Sequence, residues 1–298
     1  MPSRTSIFVT FLILALCSRV AEASLLLWDD VERMPLPPAG ERIAYGTLPL
    51  QFGELRVPPG QGPFPLAVLI HGGCWLSGFD HGYMTHMAAA LAKIGVASWT
   101  IEYRRVGDEG GGWPGTFQDV AKSLDYLPVL AKNRPLDLKR VIAVGHSSGA
   151  QLALWLAARR QLPGSSALYT QHPFALSGVV GLAPITDLER YRIGLPGSCN
   201  AAVDDLLEGS PSEVPLHYAQ TSPRASLPLG LPQRMIQGRR DSVVPIDASV
   251  VYVTAAKAAG DSVALAEIPG AGHFEPALPI KPAWSKVQAA IRELLNVR

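Results

Sequence analysis

The chain has 298 residues, of which 48% are hydrophobic and 17% charged, and its formal net charge is +1. That is enough apolar material for one large α/β domain or two small ones, and it excludes wholesale disorder. Charges of both signs are scattered without a basic stripe, so nothing marks the chain for nucleic acid or an anionic membrane surface.

Residues 1–23 read as an export signal. Arg4 supplies the positive start, residues 7–16 the apolar stretch, and Ala21-Glu22-Ala23 a small-x-small cleavage site. A transmembrane anchor is the competing reading, but the run is short for a hydrocarbon core of about 30 Å. A lipoprotein site at Cys17 is opposed by bulky Leu16 before it. The expectation is a secreted or periplasmic protein, cleaved after Ala23, with one domain over 24–298 and no stable membrane span once the signal is removed. Cys74 and Cys199 then remain. Export permits a disulfide between them, but spacing does not establish one, and the thiol of Cys74 reads as a small packed side chain rather than a nucleophile. No spacing of Cys or His suits a metal, and no cofactor is expected.

After an irregular Pro-rich lead-in at 34–40 come two extended stretches, 43–47 and 50–57. Apolar strands are then predicted at 66–71, 96–103, 141–145, 176–183, 235–238 and 263–268. Helices are predicted at 83–93, 116–131, 149–160, 247–259 (with Asp247 as its cap) and 283–296. Such alternation implies an α/β fold, a mostly parallel sheet covered by helices on both faces, with sites forming beyond the carboxyl ends of the strands. Residues 186–232 depart from the pattern. Rich in Pro, Gly and Ser, with a short helical run at 201–208, they read as an insertion or lid over the site, or as a long loop.

Between the strand at 141–145 and the helix after it lies Gly145-His146-Ser147-Ser148-Gly149. A Gly-x-Ser-x-Gly turn between strand and helix is the setting of a nucleophile elbow, which pushes the serine hydroxyl out of the sheet. Serine is a poor nucleophile at its free pKa, so Ser147 needs a base, and the base an orienting acid. His273, in Gly270-Ala271-Gly272-His273-Phe274 after the last strand, is the best base. Asp241, after the strand at 235–238, is the best acid; Asp187 and Glu275 are rivals. A tetrahedral intermediate needs backbone N–H donors. Ser148 should supply one, and His71-Gly72-Gly73-Cys74-Trp75 others. His71 reads as a brace for that loop rather than a base. Trp75, Tyr103 and Trp113 are candidates to line the substrate pocket, or plain core.

His71-Gly72-Gly73-x-Trp75, the elbow, Gly238-x-x-Asp241-x-x-Val244-Pro245 and Gly270-x-Gly272-His273 together resemble the α/β-hydrolase superfamily. Within it the chain is similar to the branch holding hormone-sensitive-lipase-like esterases, kynurenine formamidases and bacterial feruloyl or acetyl-xylan esterases. Ile101-Glu102-Tyr103-Arg104 and the stretch 181–188 share in that likeness, which spans roughly 45–296. The resemblance implies Ser147 as nucleophile, Asp241 as acid, His273 as base, and oxyanion donors from Gly73, Cys74 and Ser148. Cys74 stands where lipase-like members carry a third glycine, and His146 where they tend to have Asp.

The function expected is an exported serine hydrolase acting on a small-molecule carboxylic ester through an acyl-enzyme. The same residues suit an amide hydrolase, either an arylformamidase or a peptidase. A non-catalytic binding protein on the hydrolase scaffold is the alternative of another class. The natural substrate and the oligomeric state are not legible in the sequence.

Overall fold

The computed structural model describes residues 24–194 and 198–297. The expected export signal lies outside them.

The strands are β1 (Glu41–Ala44), β2 (Phe52–Arg56), β3 (Phe64–Ile70), β4 (Ala97–Ile101), β5 (Leu136–His146), β6 (Gly178–Leu182), β7 (Gln233–Gly238) and β8 (Val263–Ile268). Together they form one eight-stranded sheet in the order β1-β2-β4-β3-β5-β6-β7-β8. β1 and β2 pair antiparallel, as do β2 and β4; the pairs from β4 through β3 to β8 are parallel. The apolar runs behind the strand expectations explain this arrangement. Leu66, Val68 and Ile70 of β3 enter one core and Ala67 and Leu69 the other, as the two-residue period of a strand requires when both faces are covered.

The helices are α1 (Trp28–Glu32), α2 (Thr85–Ala92), α3 (Gly115–Asp125), α4 (Leu127–Leu130), α5 (Ser148–Ala158), α6 (Leu188–Arg192), α7 (Ala202–Leu207), α8 (Pro215–Thr221), α9 (Ile246–Ala258) and α10 (Ala283–Leu295). α3, α5 and α9 pack on one face through Phe117, Leu152 and Tyr252. α2 and α10 cover the other through Met87, Leu91, Val287 and Ile291. β4 was added on one side of β3 and β5 on the other, so the chain reverses direction between them. The carboxyl ends of β3 and β5 therefore flank the crevice where open sheets of this kind place their ligands.

Four local expectations change. The helix foreseen at 116–131 breaks into α3 and α4, with Pro128 in the first turn of the second, where its missing N–H is tolerated. Asp247 is not a cap; Pro245 holds that position and Asp247 lies within the first turn of α9. β5 begins at Leu136, earlier than its apolar run, across a register shift between Pro65 and Leu66 of β3. Residues 186–232 carry α6 and α8 besides α7, which falls on the helical run expected at 201–208, and α1 was not foreseen. Among the described residues no helix is long and apolar enough to cross a membrane.

Candidate active site

Ser147 sits between the end of β5 and the start of α5 with φ 57° and ψ −121°, outside the conformations an L-residue adopts freely. Sterics dictate the flanking residues. A Cβ on Gly145 would meet the Gly149 carbonyl oxygen at 2.1 Å, and one on Gly149 would meet the oxygens of Ile70 and His71 at 2.3 Å. Only glycines let strand, helix and the β3 end close around the serine. The Ser147 N–H donates to the Leu182 carbonyl of β6 at 2.8 Å, which ties the bend to the sheet.

Asp241 follows β7. Its Oδ1 accepts the N–H groups of Val243 and Val244 at 2.8 and 2.9 Å, so it does fold its own turn. Its Oδ2 accepts from Gln237 Nε2 at 2.8 Å and from His273 Nδ1 at 2.8 Å. A carboxylate only accepts, so Nδ1 carries the proton and Nε2 of His273 is left free to take one. The other candidate acids do different work. Asp187 caps α6 through the Arg190 N–H at 3.1 Å and pairs with Arg224 at 3.4 Å. Glu275 accepts the N–H groups of Gly272 at 2.9 Å and Leu26 at 3.0 Å.

Ser147 and His273 line one cavity of about 240 Å³, together with Gly73, Cys74, His146, Ser198, Cys199, Val243 and four aromatic residues. Among the described residues no hydrogen bond joins the Ser147 hydroxyl to the His273 ring. The pair faces a shared space without being locked together, and such catalytic bonds often tighten only around substrate.

The loop after β3 holds three successive residues at positive φ: Gly73 at 106°, Cys74 at 57° and Trp75 at 58°. This curls the backbone into a concavity of the kind that presents N–H groups to an anion. Among the described residues, the N–H groups of Gly73 and Cys74 donate to no protein acceptor. Ser148 is the first residue of α5, where an N–H has no intrahelical acceptor. The loop is braced from below. His71 bonds Gly72 O through Nδ1 at 2.7 Å and Glu102 Oε1 through Nε2 at 3.1 Å, the role expected of it. Burial alone would push the Glu102 carboxyl up, but His71, His81 and Arg105 together hold it well below the usual carboxylate range.

His146 supplies a link that the sequence did not reveal. The Gly72 N–H donates to the Tyr83 hydroxyl at 2.7 Å, and that hydroxyl lies 2.8 Å from His146 Nδ1. His146 Nε2 lies 3.0 Å from the His273 carbonyl, which can only accept, so Nε2 bears the proton and Nδ1 accepts from Tyr83. Burial, reinforced by nearby His273, pushes the His146 imidazole down to about 3, and it stays neutral at ordinary pH. The β3 loop, the elbow and the base loop are thus strung on one chain of hydrogen bonds.

The pocket expectation needs correction. Trp75 and Tyr103 are fully buried. Trp75 Nε1 donates to Gln151 Oε1 at 3.0 Å, while the Tyr103 ring stacks on His71 at 4.4 Å. Trp113 stacks on His217 at 3.9 Å, away from the cavity. The aromatic lining comes instead from Trp28, Phe79, Tyr83 and Phe274. Of these, only Phe274 had a sequence signal, its place beside His273 in the glycine-rich loop.

Cys74 is joined to Cys199 by a disulfide with a Cα–Cα distance of 4.9 Å, across a sequence separation of 125. It tethers the 186–232 insertion to the β3 loop and removes the Cys74 thiol as a nucleophile. Closing so long a loop should stabilise the fold by roughly 2–5 kcal/mol. Replacing both cysteines by serine is expected to lower Tm by roughly 5–15 °C in calorimetry. An unchanged Tm would show that the bond contributes nothing. Among the described residues no cluster of His, Cys, Asp or Glu could hold a metal ion.

The BD-FAE family model matches residues 55–255, more than half of the chain. The chain belongs to the BD-FAE family. This is an esterase family of the α/β-hydrolase fold, in agreement with the resemblance read from the motifs. A truncated carbohydrate esterase from gut microbiota superposes on this BD-FAE protein with a TM-score of 0.73 at 18% identity, over 88% of this chain and 97% of its own. Esterase 2 of the planctomycete Thermogutta terrifontis gives 0.71 at 19%, over 89% and 96%; it has also been solved phosphonylated by sarin. A bifunctional GH43-CE protein of Bacteroides eggerthii gives 0.68 at 21% over 84% of this chain, which spans only 34% of that protein. At such identities these likenesses establish the α/β-hydrolase fold. No curated protein matches the chain.

Proposed function

We propose that this BD-FAE protein is an exported serine hydrolase that cleaves carboxylic esters through an acyl-enzyme, with residues 24–298 as one catalytic unit. The observation that carries the reading is the 2.8 Å bond from His273 Nδ1 to Asp241, on a histidine that shares its cavity with Ser147 on a strained elbow. In the mechanism, Ser147 Oγ attacks the ester carbonyl carbon as its proton passes to His273 Nε2. The resulting oxyanion is held by the N–H groups of Gly73, Cys74 and Ser148, a donor set in which each member is worth about a hundredfold or more in rate. His273 returns the proton to the departing alkoxide, leaving an acyl group on Ser147. Water then attacks the acyl carbon, its proton again taken by His273, and the carboxylic acid leaves as Ser147 regains its hydrogen. Asp241 fixes the tautomer throughout and steadies the imidazolium.

Export is supported by the 1–23 pattern and by the Cys74–Cys199 disulfide, a bond that persists in oxidising compartments. An acyl-enzyme has a kinetic signature. Mixing with p-nitrophenyl acetate is expected to release a burst of nitrophenolate approaching one equivalent per chain when deacylation is the slower step. Release no faster than the buffer blank would remove the esterase reading.

A further inference from the structure

The lead-in segment before β1 runs along the wall of the cavity rather than away from it. Three attachments hold it there. The Leu26 N–H donates to Glu275 Oε1 at 3.0 Å, while the other oxygen of that carboxylate accepts the Gly272 N–H beside His273. The Leu25 methyl groups lie against Gly272, close enough that a Cβ there would meet them at 3.3 and 3.4 Å. Val31 is buried in the hydrophobic cluster to which α2 and α10 contribute. Between these anchors the first residue of α1, Trp28, turns its indole inward. The ring meets Phe79 edge-on at 5.0 Å, Tyr83 at 5.8 Å and Phe274 at 6.0 Å. The four rings line the cavity that holds Ser147 and His273.

Three observations bear on this wall. At about 240 Å³ the cavity is below the 300–1,000 Å³ common for small-molecule pockets, so the space between the serine and its aromatic walls is small. Its aromatic walls offer an apolar surface to whatever enters. Of the four rings, Phe79 and Tyr83 lie within the matched residues 55–255, while Trp28 and Phe274 lie outside them.

We propose that Trp28 is a specificity-determining residue, whose indole closes the substrate cavity and limits the length of the apolar arm of the ester that lies beside Ser147. The inference rests on the hydrolase reading and deepens it, naming the substrate class as esters with one short apolar arm. Removing the indole opens the cavity along the strap, and each further methylene that finds apolar cover there is worth roughly fourfold in kcat/KM.

The test compares the full chain with its Trp28→Ala and Trp28→Phe variants on two series. One is p-nitrophenyl esters from acetate to octanoate; the other is acetate esters of alcohols of rising length. In Trp28→Ala the long-to-short ratio of kcat/KM should rise at least tenfold in one series, with Trp28→Phe in between. Both variants should still take a fluorophosphonate label on Ser147, which shows that the reacting residues are in place, whatever the rate of labelling. Ratios within twofold of the unmodified chain in both series in Trp28→Ala, or in Trp28→Phe should the alanine variant fail to take the label, would overturn the inference while leaving the hydrolase reading intact. An unmodified chain inert to the fluorophosphonate and to every ester would strike down the hydrolase reading, and this inference with it.

Discussion

Ser147→Ala is expected to lower kcat on a short aryl ester by about 10⁴-fold or more, with Tm and circular dichroism close to those of the unmodified chain. The bend does not depend on the hydroxyl. It is set by the N–H bond to Leu182 and by Gly145 and Gly149, which no other residue type could replace without meeting backbone oxygens. Among the described residues the Ser147 side chain anchors no other group. Alanine therefore removes the reacting atom and little else, and the residual rate is that of an oxyanion loop acting on bound ester. Progress curves for p-nitrophenyl acetate give the comparison. Activity within tenfold of the unmodified enzyme would mean that another group performs the attack.

Asp241→Asn is expected to cost about 10⁴-fold in kcat for a different reason. The carboxylate accepts four hydrogen bonds: two backbone N–H groups on Oδ1, Gln237 and His273 on Oδ2. An asparagine must turn its NH₂ to one side. Toward Val243 and Val244 it would face two fixed backbone donors, whereas on the other side it faces the Gln237 amide and a ring that can change tautomer, so the amide nitrogen falls on the side of His273. It then donates to Nδ1 and drives the ring proton to Nε2, the position that must be empty to receive the proton of Ser147. The turn survives and the base is in the wrong tautomer, so kcat should fall far more than KM rises. Steady-state kinetics separate the two. A loss confined to KM would show that Asp241 shapes the pocket and does not orient the base.

The motifs made the frame of the candidate site legible because local rules fix it. Continuous apolar runs such as 66–70 and 141–144 mark strands covered on both faces, and the elbow glycines are forced by backbone contacts within a few residues. Asp241 and His273 follow from their places after β7 and β8. The walls of the cavity depend on longer reach. Trp75 turns into the core because Cys74 and Trp75 both adopt positive φ, which their residue types do not announce. Trp28 reaches the site through a strap whose clasp joins residues 249 apart. The Cys74–Cys199 bond likewise depends on how the insertion folds back onto the β3 loop. Asp187, a plausible acid by position, was claimed by the first turn of α6, a use that only the start of that helix reveals.

Fluorophosphonate labelling followed by peptide mass spectrometry reaches the catalytic assignment with the fewest intermediate steps. A single adduct per chain on the Ser147 hydroxyl, lost in His273→Ala, is the expected result. An adduct confined to another residue such as the adjacent Ser148, or none on a correctly folded chain, would contradict it.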